Sequence, residues 1–353
     1  MAPAEQLAPE FLVRVAGSDL PQPAAADLLH VMVQEDVAAP AMFACELLNW
    51  DGEKAVMKWS DEDTFREGKA LEIRVGYRDD LKVLINGEIT ALELTVASSE
   101  VPTLSVQGYD RSHRLMRTRR VRTFVDVTDS DIARRVAEDL GLAAEVAATS
   151  GTYSYVVQSN QTDFEFLHER AARIGYEVIV QNKTLRFRPR PLSARGSVTL
   201  HREKDLLEFR ARLSTLAPAS KTTVRGWNPQ TKEGIVGKAA GSDAAAKMGG
   251  STHGAASVEK AFGENSSVAI LSSPSTQGEA DQMARAAIDE AALGYIEAEG
   301  ACFGRADVRA GSVISVEGVG KRFSGPYYVT STTHTYTPAH GYRTRFAARR
   351  NAS

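Results

Sequence analysis

The first 110 residues of this chain, and again its last 150 or so, carry short segments in which apolar and polar residues alternate. A period of two is that of a β-strand, whose successive side chains point to opposite faces. Phe11–Val15 (FLVRV), Leu71–Val75 (LEIRV) and Thr103–Gln107 (TLSVQ) show it, and HVMVQED and AMFACELL add two candidates. Half-buried strands of this kind need paired neighbours and a covered face, so the first region, residues 1–110, is predicted to be a barrel or sandwich of five to seven strands. Asn86-Gly87 lies between β-formers and predicts a hairpin turn there, since both residues tolerate positive φ. Pro21, Pro23 and Pro40 fall between candidate strands, where a missing N–H is harmless.

The second region, residues 111–195, is mixed. Ile132, Val136 and Leu140 recur at helical spacing after Thr128-Asp-Ser-Asp, and Gly141 follows as a stop. Thr162 and Glu165 form a capping box that opens a helix over Asp163–Ile174, with Phe164, Leu167, Ala171 and Ile174 on one face. YEVIV and LRFRPRP follow as strands. The third region, residues 196–353, returns to strands: VTLH, LLEFRARL, TTVRGW, EAEGACF, SVISVEG, YYVTSTTHTY and YRTRFAAR. Between them, Thr276 and Glu279 predict a capping box for a helix to Leu293, whose small face (Ala280, Met283, Ala284, Ala287, Ile288, Ala291) suits close packing on a sheet. The tract 228–267 is dominated by Gly, Ala, Ser and Lys, and is expected to be a flexible insertion without a core of its own.

Charge is distributed unevenly. Residues 1–110 hold 20 acids and 8 bases, a net of −12, whereas residues 111–353 carry a net of +9. Six arginines crowd one short stretch: Arg111, Arg114, Arg117, Arg119, Arg120 and Arg122. The pI of about 6.2 and the lack of interleaved aromatics argue against nucleic-acid binding. Oppositely charged surfaces that meet each other, or meet another subunit, account better for the split. Cys45 and Cys302 are too few and too far apart in sequence for a disulfide framework or a cysteine-based zinc site, and read as small buried apolar residues. No window approaches the ~18 apolar residues of a membrane helix, and the start, MAPAEQLAPEF, lacks the basic and apolar segments of a secretion signal. Synthesis and folding in the cytoplasm are expected.

Catalytic signatures are missing. There is no G-x-S-x-G, phosphate-loop or H-E-x-x-H pattern. Gly318-Val-Gly320 begins like a dinucleotide loop, but residue 323 is Phe. Asp110, Ser112 and His113 are the residue types of a triad, yet near neighbours in sequence rarely face each other productively, and Asp110 and Ser112 read as turn formers. Glu165 and His168 make one E-x-x-H step, which di-iron sites use in two copies. Ser251 and His253 lie in the tract expected to be flexible. No catalytic, cofactor-binding or metal-ligating residue is assigned, and no cofactor is expected.

Four segments occur in a telling order: GYDRSHRLMR (108–117), DSDIARRVAEDLGL (129–142), NQTDFEFLHERAARIGYEV (160–178) and FSGPYYVTSTTHTY with GYRTRF (323–346). Together they resemble the late control D proteins of tailed phages, baseplate hubs similar to the hub portion of type VI secretion VgrG proteins and of extracellular contractile injection particles. The run Asp163-Phe-Glu-Phe-Leu-His-Glu-Arg-Ala171 is the most specific piece. The resemblance implies a mainly β chain with an α+β middle. Residues 1–110 and 196–353 would each form a tube-like β-barrel domain, flanking a mixed domain at 111–195. Three chains would form a ring of six barrels around a channel. The implied function is structural: a homotrimeric adaptor between a hexameric tail tube and a trimeric spike, touching other baseplate components, in a virion or a toxin-delivery particle. VgrG proteins continue into a spike; here the spike would be either a separate polypeptide or sequence beyond Ser353. The alternative reading is a tail-tip cell-wall hydrolase, which would need a buried acid pair in a cleft that no motif marks.

Overall fold

The computed structural model describes residues 9–77, 80–228, 231–243, 247–269 and 274–353. In the first region the alternating segments form β1 (Pro9–Val15), β2 (Leu28–Asp36), β3 (Ala39–Leu48), β4 (Ala70–Tyr77), β5 (Asp80–Thr95) and β6 (Thr103–Asp110). Their inward residues, among them Val31, Val33, Phe43, Cys45, Leu47 and Val106, make one apolar cluster. The hairpin expected at Asn86-Gly87 is absent. Both residues lie inside the long strand β5, with Asn86 opposite Glu72 and Gly87 opposite Leu71. The glycine serves contact rather than a turn: a Cβ at Gly87 would stand 2.9 Å from the Phe43 ring, and one at Gly108 would stand 2.4 Å from it. Two neighbouring strands thus leave the floor on which the Phe43 ring lies.

The middle region pairs β7 (Arg119–Val127) with β8 (Tyr153–Thr162), and β9 (Tyr176–Gln181) with β10 (Thr184–Pro189). Helix α1 (Asp129–Asp139) opens with a capping box, Thr128 accepting from the Asp131 amide at 3.1 Å while Asp131 accepts from the Thr128 amide at 3.0 Å. Helix α2 (Asp163–Arg173) has the predicted Thr162–Glu165 box, with bonds of 3.1 and 2.9 Å. Its buried aromatic is Phe166, stacked on Phe124 at 5.8 Å, rather than Phe164. Phe164 is half-buried at the edge of the cluster, and its ring covers His168 at 3.9 Å.

The third region contributes β11 (Val198–His201), β12 (Leu206–Leu213), β13 (Lys221–Asn228), β14 (Glu233–Ala240), helix α3 (Gly254–Phe262), β15 (Ser266–Ala269), helix α4 (Gln277–Leu293), β16 (Ile296–Phe303), β17 (Val313–Glu317), β18 (Gly325–Thr337) and β19 (Gly341–Arg350). The tract 228–267, expected to lack structure, carries β14, α3 and the start of β15. Small residues suffice there because α4 lies so close: a Cβ at Gly237 would stand 2.2 Å from the Ala280 carbonyl. Val224, Ala239, Met283, Ala284 and Ile288 fill the layer between sheet and helix. Met248, 1% exposed, packs into a separate cluster with Leu192, Leu293 and Tyr328. Thr276 caps α4 with a 3.2 Å bond to the Glu279 amide, but the Glu279 carboxylate turns to Ser275 and Arg173 instead of completing a box.

No barrel closes among the described residues. A single 13-stranded sheet runs through both ends of the chain, because β18 of the third region pairs with β2 of the first. Within this sheet the same strand order occurs twice. The first region reads β2-β3-β6-β5-β4-β1, and the third reads β12-β16-β19-β18-β17-β11, each in the same sequence order. The details repeat as well. The register shifts beside Thr90 in β5 and beside Thr330 in β18. Just outside, Gly68 (φ 83°) donates to the Ile89 carbonyl at 2.8 Å, and Gly311 (φ 76°) donates to Val329 at 2.9 Å. The last strand differs between the repeats: β1 joins antiparallel and β11 parallel.

Candidate functional site

The long sheet has one apolar face against its two cores and one polar face. Along β2, β3, β5 and β6 the outward positions include Gln34, Glu46, Glu93 and Gln107. In the third region a shallow groove of about 360 Å³ runs over this polar face, lined by Glu208, Arg210, Glu299, Thr333 and Arg345. A broad polar sheet face of mixed sign suits water or a passing polar chain better than a small apolar ligand.

The two regions are locked together by a buried ion pair. Arg309 Nε lies 2.8 Å from Glu35 Oε2, and its Nη2 donates to the other carboxylate oxygen. The same guanidinium donates to the Leu84 carbonyl at 2.6 Å and the Val83 carbonyl at 3.2 Å. Thr332 Oγ1 and the Ala310 amide complete the carboxylate's shell at 3.2 and 3.3 Å. Burial pushes the Glu35 carboxyl up, and the Arg309 charge more than offsets this, leaving it below the ordinary carboxylate range. Glu88 plays a similar part toward the middle region: Arg114 reaches it at 2.6 Å, His113 Nε2 at 3.0 Å and Arg111 at 3.6 Å. The acidic first region and the basic remainder therefore meet inside one chain.

Five of the six clustered arginines are engaged in the same way, and Arg117 is exposed. Arg111 and Arg114 face Glu88, Arg119 faces Glu165, and Arg120 and Arg122 both face Asp163, with Arg122 also on Asp139. Guanidinium groups held by internal carboxylates are poorly placed to neutralise external phosphates. Further contacts clamp the middle region to the third: Arg173 pairs with Glu279 and Arg190 with Glu290, and Glu177, held within the middle region by Arg188 at 2.9 Å, accepts from the Tyr328 hydroxyl with its second oxygen.

Where the three regions converge, a cavity of about 30 Å³ is bounded by Glu35, Asp110, Ser112 and His168, among others. Here the structure brings together residues that the sequence had left scattered. They do not form a triad. Ser112 donates both its amide, at 2.9 Å, and its hydroxyl to Asp110 Oδ1. His113 turns away to Glu88, and His168 Nδ1 lies 2.9 Å from the Phe164 carbonyl. The Ser112 hydroxyl is thus held by the Asp110 carboxylate, while His113 and His168 are engaged with Glu88 and the Phe164 carbonyl. Glu165 faces Arg119 rather than His168. His253, 4% exposed, accepts the Ala255 amide at 3.4 Å and caps α3. Gly318 and Gly320 lie in the turn between β17 and β18. Cys45 and Cys302 are free and buried. No group of three or more His, Cys, Asp or Glu suited to a metal ion occurs among the described residues, and no described helix is long and apolar enough to cross a membrane.

Asp110 is the titratable group this junction perturbs most clearly: burial pushes its carboxyl up to about 7. A raised acid pKa means that the native state holds a proton the unfolded chain has released. Stability from this group is fully present below the ordinary carboxyl pKa and is lost as pH rises toward 7. Asp110→Asn is expected to remove this loss. The melting temperature of the variant, relative to the parent, should rise between pH 5 and pH 8. A constant difference across that window would mean that Asp110 is ionised throughout.

Comparison with known proteins places this geometry. The chain shares its fold with the 43 kDa tail protein of prophage MuSo2 from Shewanella oneidensis (TM-score 0.72, 15% identity, covering 97% of this chain and 98% of that one). It also shares it with the tail protein from Neisseria meningitidis MC58 (0.68, 13%, 97% and 96%). The E. coli c3393 protein, a component of the type VI secretion system that exhibits structural similarity to T4 bacteriophage tail proteins gp27 and gp5, aligns at 0.60 with 12% identity over 97% and 77%. None of the curated proteins matches in sequence. The fold is thus a phage-tail fold shared with a type VI secretion component, as the sequence resemblance implied. The family model for the Alg8 N-terminal domain matches residues 6–338, and the chain belongs to that family.

Proposed function

We propose that the protein is a structural baseplate hub of a contractile tail or contractile injection system, a homotrimer joining a hexameric tail tube to a trimeric spike. One observation carries this reading: the sheet holds two copies of one strand order, arranged head to tail. A chain with two equivalent units, present three times, offers six similar faces to a sixfold partner while keeping true threefold symmetry for a spike. On this reading residues 1–110 and 196–353 are the two tube-like units, residues 111–195 form the outer α+β domain, and the polar sheet face lines the channel. The role is one of assembly rather than catalysis. The junction cavity of about 30 Å³ holds little more than one water, which gives a cell-wall hydrolase no sugar site there. Assembly would take place in the cytoplasm before incorporation into the particle.

Light scattering on the purified 38.2 kDa chain should give a mass near three times that value, and electron microscopy a threefold ring. A chain that remains monomeric at high concentration, alone and with a tube protein, would overturn the reading.

A further inference from the structure

The pairing of β18 with β2 is a joint between one repeat and the next, and the repeat has two further edges of the same kinds. In this joint Thr332 stands opposite Glu35, Thr333 opposite Gln34, His334 opposite Val33, Thr335 opposite Met32 and Tyr336 opposite Val31. The equivalent of β18 is β5. Aligning the register shifts at Thr90 and Thr330 makes residues 91–96 the counterpart of 331–336. Beyond Ile89 this stretch has left β4 and pairs only with β6. The equivalent of β2 is β12, which pairs only with β16. Counting across the rungs, Val33–Phe43–Gly108 corresponds to Ala211–Ala298–Ala348, which fixes the alignment of β12 with β2.

Transferring the register of the internal joint onto these two edges sets Leu92 opposite Leu213, Glu93 opposite Arg212, Leu94 opposite Ala211, Thr95 opposite Arg210 and Val96 opposite Phe209. The outcome is complementary without adjustment. The apolar residues fall on the core side, where Leu92 already packs on the first cluster and Phe209, Ala211 and Leu213 on the third-region cluster. Leu94 and Val96 are 48% and 61% exposed, and this pairing would cover them. The polar face receives an opposite-charge rung, Glu93 with Arg212, and Glu93 is already steadied by Gln107 at 3.1 Å. The acidic partner comes from the region of net −12 and the basic one from the region of net +9.

We infer that residues 91–96 of one copy pair antiparallel with β12 of a second copy of this chain, continuing the sheet from molecule to molecule as β18 and β2 continue it within one. Unpaired strand edges are templates for such addition, and cross-strand pairs set the register. The contact is head to tail, so it closes into a ring only if the rotation permits. The inference rests on the homotrimeric hub reading and names the surface that makes the trimer.

The test is a Glu93→Cys/Arg212→Cys variant treated with a short bismaleimide, alongside each single variant. Cys45 and Cys302 are buried and stay silent. The double variant should give covalent dimers and trimers, and the single variants none. A protein that is trimeric by light scattering but yields no cross-link overturns the joint and leaves the hub reading standing. A monomer that yields none overturns both. In a second arm, Glu93→Arg should weaken association about tenfold by setting two arginines opposite each other, and adding Arg212→Glu should restore it. Association unchanged in the single variant, or not recovered in the double, counts against this register.

Discussion

Replacing Arg309 by methionine should destabilise the protein by about 3–5 kcal/mol, because it leaves the Glu35 carboxylate buried without its counter-charge. The guanidinium also ties down two backbone carbonyls, of Val83 and Leu84, which would lose a donor together. The effect should depend on pH in a defined direction. The carboxyl pKa of Glu35 is held down by Arg309, so the pair's stabilisation is present above the ordinary carboxyl pKa and is lost as pH falls through the lowered native value. Removing the arginine should therefore cost most near neutrality and least in acid. Glu35→Leu combined with Arg309→Met should cost less than either change alone, since a buried pair exchanged for apolar residues of similar volume is often near neutral. Thermal or urea unfolding of the four proteins closes the cycle. If the single Arg309→Met protein unfolds within about 1 kcal/mol of the parent, Glu35 has kept its hydration and the seam is not the closed pair described here.

Much of the fold was legible in the sequence because strand alternation and helix caps are local signals. FLVRV, LEIRV and TLSVQ became β1, β4 and β6, and the Thr162–Glu165 box opened α2 where it was placed. The failures have a common physical origin in long-range contact. Asn86-Gly87 carries a local turn signal, but the glycine is required by the Phe43 ring arriving from β3, which no local window contains. The tract 228–267 looked too poor in large apolar residues to be structured. It packs because Gly237 allows the Ala280 carbonyl close, so area is covered by proximity rather than by side-chain size. Phe164 and Phe166 are two positions apart on α2, and the face that is buried is set by the β7–β8 ribbon, through Phe124.

The junction was less legible than the fold. The −12/+9 split announced that opposite charges would meet, but not that Glu35 and Glu88 would collect the basic partners within the same chain. Asp110 and Ser112 belong to one motif and His168 to another, and only the convergence of the three regions puts them with Glu35 around one cavity. The repeat is written in strand order and bulge position more than in residue identity, with Thr90/Thr330 and Gly68/Gly311 as two positions where the residues also match. Sheet topology constrains which residues point inward, and many apolar side chains satisfy that constraint.

Phe43 and Gly108 provide the sharpest test of how the first repeat is packed. Phe43 is fully buried, and Phe43→Ala should cost about 3–5 kcal/mol, the usual range for emptying an aromatic site in a core. Gly108→Ala adds a single carbon yet should be severe for a different reason. Its Cβ would stand 2.4 Å from the Phe43 ring and 2.1 Å from the Glu88 carbonyl oxygen. The ring could move, but the carbonyl belongs to the neighbouring strand β5 and is fixed by the ladder. Overpacking a core typically costs about 1–3 kcal/mol, and a clash with paired backbone belongs at or above the top of that range. The double variant separates the two contacts. If the ring is the main obstacle, Phe43→Ala should relieve much of the Gly108→Ala penalty, giving a large favourable coupling. If the backbone is, the two costs should add. The 2.1 Å approach favours addition, read as melting temperatures that fall by the sum of the single shifts. Since Glu88 also holds Arg111, His113 and Arg114, Gly108→Ala should in addition loosen the start of the middle region. Amide exchange across residues 111–117 should rise in Gly108→Ala and remain near the parent's in Phe43→Ala.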